Sequence, residues 1–427
     1  MKILFATEYY HPFTPGGTSW SLSLLAHELQ RRGEAVAVVT PNWGASPREE
    51  VDGVPVFRFP IWRKLRPGPS LAPARTLANP FFHLLFARAV VSTARRIGAE
   101  VLHSQEKHAL VGTFLAGRWL RRPVFLSLRD YGLICPITSC LLSHDRIPVD
   151  CSAIKLQREC AAVFLDQYIG GSRLRRLRVR GSLALLYLDA ALKQALVKRV
   201  DGVVGVSRSI LEIYTGAGLI PVDRSSVIYS VPPPRALAST ADRRARLAAF
   251  GLPDRSLVLY VGKLSPGKGY PIFAEAARLV ARRLPEACFL AVGEEGSRPP
   301  DADAPVRRLG SRPHADVEAL YGIADLVVHP AVWPEPFSRV PLEAAAHGLP
   351  VIGTRIGGTP EAVEDKVTGL LVDRGDAQAL AHAIEQLLGD ADLRSRLGRQ
   401  AADTVGKRFA PEEAAQRLLA AYRGAIR

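Results

Sequence analysis

The chain has 427 residues with 48% hydrophobic content and a mean hydropathy of +0.06, which fits a soluble globular protein too long for one hydrophobic core, so two domains are expected. The opening MKILFATEYYHPF is too short in apolar residues for a signal-peptide core and is broken by Glu8, and no later window approaches about 18 uncharged apolar residues, so a cytoplasmic chain is expected rather than a secreted or membrane-spanning one. Of the formal net charge of +15, nearly all sits in residues 1–230, which hold 30 Lys and Arg against 17 Asp and Glu; without zinc fingers, RNA-binding signatures or a basic repeat, this excess does not point to nucleic acid.

In chain order, Ile3–Ala6 reads as a strand, Tyr9–Gly17 as a loop, Thr18–Arg32 as a helix closed by Gly33, and Ala35–Thr40 as the next strand. Further strands are expected at Val101–Leu102, Val124–Leu128, Val203–Val206 and Val227–Ile228. Between them lie two unusual stretches. Four of the five cysteines, Cys135, Cys140, Cys151 and Cys160, fall within 26 residues at spacings x4, x10 and x8. That is not a standard zinc pattern, and the two readings are a structural metal site, with His144 and Asp145 nearby, or reduced thiols packed in a loop. Next, Arg173, Arg175, Arg176, Arg178 and Arg180 precede an apolar helical run, either a solvated charged face or a seat on anionic lipid.

Val231-Pro232-Pro233-Pro234 is a stiff run suited to a linker, placed at 231–240 between a first domain over 1–230 and a second over 241–409. Beyond it strands and helices alternate again: Leu257–Val261, Pro271–Leu284, Cys288–Val292, Ala315–Ile323, then the strand Ala324–Pro330, helix Leu342–His347 and strand Val351–Gly353. A last helix over 410–427 is free to pack back across the linker. The expected class is α/β, two doubly wound parallel sheets facing a cleft.

The second half carries the chemistry. In VGKLSPGKG a strand ends at Gly262 and a loop with Lys263 and Lys268 feeds a helix; glycines admit a phosphate to backbone N–H groups and the lysines neutralise it. The P-loop spacing is nearly met, but Gly269 stands where Ser or Thr would hold magnesium, which argues against an NTPase. Glu335 falls on the loop after the strand and Glu343 in the following helix, both at the carboxyl edge of a sheet where open α/β folds bind ligands. Asp301-Ala302-Asp303 has D-x-D form but sits in a Pro-rich loop and reads as solvated; His103, His108, His329 and His347 read as local hydrogen-bonders.

VGKLSPGKG, AVGEEG, PEPFSRVPLEAAAHGLPVIGTRIGGTPEAV and TGLLVDRGDAQALAHAI together resemble the retaining glycosyltransferases of family 4, which have the two-domain GT-B fold. The likeness is strongest over 257–390 and extends to Pro15-Gly16-Gly17 before the first helix. It implies transfer of a sugar from a nucleotide-sugar, UDP- or GDP-linked, to an acceptor with retained anomeric configuration and no further cofactor. It places Lys263 and Lys268 on the donor diphosphate, Glu335 on the sugar and Glu343 on the ribose. Phe337, Ser338 and Arg339 would offer backbone amides between them, and Gly16, Gly17 and Gly262 the close approaches. The front-face mechanism usual for such enzymes lets the leaving phosphate take the acceptor proton, with Glu335 orienting the sugar.

Two departures stand out. Arg129 precedes Asp130 where relatives carry histidine near the reacting sugar, and Gln105 replaces a second histidine after the His103 strand. Arg129 is suited to a phosphate or an acidic acceptor, or it marks a nucleotide-sugar binder without turnover. A GT-B epimerase or phosphorylase is the third class, and a glycosidase with two carboxylates about 5 Å apart the fourth. The basic first domain suggests a lipid-linked or membrane-proximal acceptor, as in glycan or glycolipid synthesis.

Overall fold

The computed structural model describes residues 1–426 apart from 69, 143–146, 149–150, 170–171, 233–242 and 296–302. Most of the expected linker and the Asp301-Ala302 part of the D-x-D sequence therefore lie outside the described residues, as do His144 and Asp145.

Alternating runs of β-branched residues and amphipathic helices build two sheets. The first holds β1 (Lys2–Ala6), β2 (Ala35–Asn42), β3 (Arg48–Val51), β4 (Val54–Pro60), β5 (Val101–Ser104), β6 (Val124–Leu128), β7 (Gly202–Gly205) and β8 (Ser225–Val227), in the order β3-β4-β2-β1-β5-β6-β7-β8. Its helices include α1 (Gly17–Arg31), α2 (Pro80–Ile97), α3 (Lys107–Leu120) and α4 (Arg173–Val197). The second sheet holds β9 (Leu257–Val261), β10 (Cys288–Val292), β11 (Val306–Arg308), β12 (Leu326–His329), β13 (Val351–Thr354) and β14 (Gly369–Val372), in the order β11-β10-β9-β12-β13-β14. It is wholly parallel, with Val258 opposite Leu326 and Val351 opposite Gly369.

The first sheet is not wholly parallel. β3 pairs antiparallel with β4 as a hairpin whose turn is Asp52-Gly53, both at positive φ (52° and 78°). Asp-Gly favours that turn because both central residues must be left-handed. The hairpin caps the sheet edge with the charged strand Arg48-Glu49-Glu50.

Both sheets reverse their winding once, between β1 and β5 and between β9 and β12. Loops leaving the carboxyl ends of strands on either side of such a reversal splay apart and leave a crevice. The loops after β1, β5, β9 and β12 thus open toward one another across the molecule, β9 leading into Lys263–Gly269 and β12 into Trp333–Phe337.

The chain ends by crossing back. The helix Pro411–Ala425 packs on α1 and β7, and its Ala415, Leu418 and Tyr422 are buried with Phe5, Leu22 and Phe125 of the first domain. The Tyr422 hydroxyl bonds Nδ1 of His103, whose Nε2 meets Ser127 Oγ at 2.9 Å.

Burial shifts acids and bases in opposite directions. It lowers His11 and His108, takes His103 down to about 3 and His329 to about 4, while it raises Glu106 and pushes Glu8 up to about 8. Below about pH 6.5 the unfolded chain binds protons that the folded histidines refuse, so stability falls with acid, by roughly 1.4 kcal/mol per pH unit for each histidine. The two glutamates hold protons in the folded state, and their share of stability is lost as pH rises above about 4.5, for Glu8 up to its folded value near 8. Four histidines outweigh two acids below about pH 6.5, while above it the raised glutamates are opposed by Lys193, which burial lowers. Melting temperature is therefore expected to fall from pH 6.5 to pH 5; a flat profile or a rise toward acid in a thermal-melt series would contradict this balance.

Candidate active site

A cavity of about 400 Å³ lies between the two domains. The first domain lines it with Thr14, Gly16, Gly17, Thr18, Trp20, Arg129, Val206 and Ser230; the second contributes Lys268, Glu335, Phe337, Ser338, Arg339 and Glu343.

The second-domain wall is built by close backbone approaches. Gly269 has φ +75°, and a Cβ there would lie 1.7 Å from the Pro330 carbonyl oxygen, so only glycine lets the β9 loop pass under the end of β12. The Tyr260 hydroxyl donates to the carbonyls of Lys263 (2.8 Å) and Lys268 (3.3 Å), fixing both ends of the loop. The Val332 and Trp333 amides donate to the Gly267 carbonyl at 3.0 Å each. Gly357-Gly358 serves the neighbouring loop: Gly358 N donates to the Glu335 carbonyl at 2.7 Å, and a Cβ on Gly357 would meet that oxygen at 2.5 Å. The glycine turn is therefore a bed for Glu335.

Each glutamate is buried against its own cation. Lys268 Nζ lies 2.6 Å from Glu335 Oε1, and Arg339 Nη2 lies 2.9 Å from Glu343 Oε1, one turn away on the helix Arg339–Ala346. The Tyr321 hydroxyl donates to Glu343 Oε2 at 3.1 Å. Ser338 caps this helix, its Oγ accepting from the Val340 amide at 3.4 Å.

The first domain meets this wall at Gly17, where a Cβ would stand 2.6 Å from Arg339 Cδ. Gly16 caps α1 without a side chain, and the first turn of α1 holds no acid, so its unpaired N–H groups are left for a ligand. On the far side of β5, Arg129 Nη2 donates to Gln105 Oε1 at 2.9 Å; the two departures from the family pattern are thus in contact. Burial lowers the Arg129 guanidinium to about 10, which leaves it charged at neutral pH.

The structure brings Gly16, Gly17, Lys268, Glu335, Phe337, Ser338, Arg339, Glu343 and Arg129 to one cavity, but not Lys263 or Gly262. Lys263 is half exposed and turned to Glu294, 3.5 Å away. Gly262 has φ +147° and donates to Val292, serving the turn rather than the cavity wall. Thr14, Thr18, Trp20, Val206 and Val340 line the cavity without sequence signals of their own, and Tyr321 supports it from behind.

The cysteines do not form a ready ligand set. Cys135 is buried, and Cys140, Cys151 and Cys160 are partly buried. Among the described residues no three His, Cys, Asp or Glu side chains are grouped to hold a metal ion. Burial and the neighbouring cysteines raise the Cys135 thiol and push Cys140 up to about 12. Cys140, Cys151 and Cys160 instead line a second cavity with Pro266 and Val332, so the insertion leans on the loops that carry Lys268 and Glu335.

Comparison with known proteins agrees with this fold. Residues 16–230 match the glycosyl transferase 4-like domain family and residues 243–404 the glycosyl transferases group 1 family. A D-inositol 3-phosphate glycosyltransferase from Segniliparus rotundus is 36% identical over 199 residues, 44% of either chain. The putative glycosyltransferase YtcC from Bacillus subtilis is 28% identical over 48% of this chain and 55% of its own. The chain thus spans about half the length of the curated relatives it matches. Among solved structures, Anabaena HepE in complex with UDP and glucose superposes with a TM-score of 0.68 at 23% identity, covering 98% of both chains. Sucrose-phosphate synthase from Thermosynechococcus elongatus gives 0.68 at 22% identity over 99% of both. The paired Rossmann-like sheets are therefore a GT-B fold, and with one family matched over half its length and the other over most of the remainder, the chain belongs to the group 1, family 4-like glycosyl transferases.

Proposed function

We propose that the protein is a retaining glycosyltransferase that moves a sugar from a UDP- or GDP-linked donor to an acceptor near a membrane surface. The observation that carries this reading is the pair of ion pairs, Lys268–Glu335 and Arg339–Glu343, facing the Gly16-Gly17 turn across one interdomain cavity. An entering donor exchanges partners with them: sugar and ribose hydroxyls donate to Glu335 and Glu343, while Lys268, Arg339 and the α1 amides turn to the diphosphate. Departure of the sugar leaves a growing negative charge on the phosphate, and these fixed positive groups stabilise it. The same phosphate then accepts the acceptor's proton on the face it leaves, which retains configuration. Lys263 joins only by leaving Glu294, a step that costs little because exposed pairs contribute about 0–1 kcal/mol. The UDP complexes of HepE favour a uridine donor by analogy of fold.

The membrane part rests on the outer face of the first domain. Arg173, Arg175, Arg178 and Arg180 are exposed near the start of α4, with Arg176 partly so. Farther along, Leu185, Leu188 and Leu192 join Leu84 and Leu115 around an apolar hollow of about 660 Å³ between α2, α3 and α4. Basic side chains beside exposed leucines suit an anionic lipid surface. Among the described residues no helix is long and apolar enough to cross a membrane.

A melting screen over UDP-, GDP-, ADP- and dTDP-sugars should find one donor that stabilises the fold, by about 2.7 kcal/mol at a hundred times its Kd. Lys268→Ala should weaken that nucleotide about 10- to 100-fold. Glu335→Gln should leave nucleotide affinity nearly unchanged while transfer falls about 100-fold. Full nucleotide affinity in Lys268→Ala would sink this reading, and saturable binding with neither donor hydrolysis nor transfer would favour a binder without turnover.

Neutralising the five arginines of α4 to Gln should release the protein from phosphatidylglycerol vesicles, each charge contributing about 1 kcal/mol near the surface. Sedimentation that is equal for the variant and the native chain would remove the membrane part alone.

A further inference from the structure

Arg129 differs from the other cations of the cavity in having no acid of its own. Lys268 and Arg339 are held by Glu335 and Glu343, whereas no carboxylate lies within 4 Å of the Arg129 guanidinium among the described residues. The charge of Glu106 acts on it, but Glu106 Oε2 is engaged by Thr7 Oγ1 at 3.1 Å and the Glu8 amide at 2.9 Å. The sole side chain bonded to Arg129 among the described residues is Gln105, fully buried and neutral. Two buried donors are left without partners there, Arg129 Nε and Gln105 Nε2. Buried N–H groups without acceptors are costly, and a charged one more so, so the pair is arranged for an acceptor that arrives with a ligand.

Position separates that ligand group from the donor diphosphate. The glycine turn that receives phosphate follows β1, while Arg129 follows β6, with β5 between them. Adjacent strands are about 4.8 Å apart, so Arg129 starts roughly 10 Å across the sheet from the strand that feeds the turn. It lines the same cavity as Val206 and Ser230 of the first domain.

We propose that Arg129, aligned by Gln105, is an anion-recognition site at the first-domain end of the cleft, and that one of the two reactants presents a carboxylate or phosphate there in addition to the donor diphosphate. The inference rests on the transferase reading and names the chemical class of its substrate. A hexuronate donor and a phosphorylated acceptor would both supply such oxygens. A fork of N–H donors suits either one.

Matched ligands test it by isothermal titration on the full chain: UDP-glucose against UDP-glucuronate, GDP-mannose against GDP-mannuronate, and glucose against glucose 6-phosphate, with UDP and GDP alone as references. In the native protein the anionic member of at least one pair should bind about tenfold or more tighter, as expected of a charge-assisted contact. That preference should vanish in Arg129→Gln and survive in part in Arg129→Lys, with UDP and GDP affinities unchanged. A preference among nucleotide sugars assigns the anion to the donor, and one for glucose 6-phosphate assigns it to the acceptor. Each readout is a ratio within one variant, so partial unfolding of Arg129→Gln cancels. Equal binding within every pair in the native protein would overturn the inference, as would an Arg129→Gln variant that loses UDP or GDP as strongly as the anionic ligand. Preference for the sugar phosphate with no nucleotide binding at all would instead overturn the transferase reading and leave the anion site standing.

Discussion

A buried carboxylate must be neutralised, and the whole interdomain wall follows from how Glu335 and Glu343 meet that requirement. Removing one partner of a fully buried pair costs about 3–5 kcal/mol, an upper bound for Lys268, whose side chain is 39% exposed at the cavity. Lys268 and Arg339 thus serve the resting protein by holding the two acids. The same demand explains why the site sits at a winding reversal. Glu335 and Lys268 leave neighbouring strands, β12 and β9, whose loops diverge at their carboxyl ends; side chains of 2.6 Å separation can then bridge the crevice while its floor stays open.

Holding those charges in register falls to close approaches at glycines, two of them against backbone and the one at Gly17 against the Arg339 side chain. Gly269 under Pro330, Gly357 against Glu335 and Gly17 against Arg339 are three separate contacts, and each fixes the height of one element of the cavity. Tyr260, Tyr321 and Tyr131 add hydroxyl contacts to the loops or acids from behind, Tyr131 reaching across the domains to the Pro334 carbonyl at 2.8 Å. Because the Gly17 contact also joins the domains, the cavity's width depends on their closure about it.

How much of this could be read in the sequence depends on distance along the chain. Lys268, Glu335 and Glu343 were legible because their loop, helix and glycine turn are local and each has its own propensity signal. The strands Val124–Leu128, Leu257–Val261 and Cys288–Val292 were legible to the residue because fully buried parallel strands are continuous apolar runs. The hairpin over residues 48–60 was missed although Asp52-Gly53 announced it, since its charged first strand lacks the apolar alternation that identifies strands. Lys263 shows another limit: spacing places a lysine on a loop but not the direction of its amine, which a surface acid, Glu294, decides. Contacts such as Tyr422 with His103 or Gln105 with Arg129 join distant segments, and no local pattern records them.

Charge in this chain therefore works at two depths with different physics. The arginines on α4 are exposed, and at physiological salt their field fades within about 8 Å, so they act only on a surface they nearly touch, and additively. Arg129 is partly buried in the cavity wall, where screening is weaker and its effect falls on one group at one place. A single buried guanidinium can discriminate between two sugars that differ by a carboxylate; five exposed ones cannot, however strongly they attract. On the proposed reading, the excess of positive charge in the first domain divides into attraction outside and selection inside. The division follows from burial rather than from residue type, since arginine serves both.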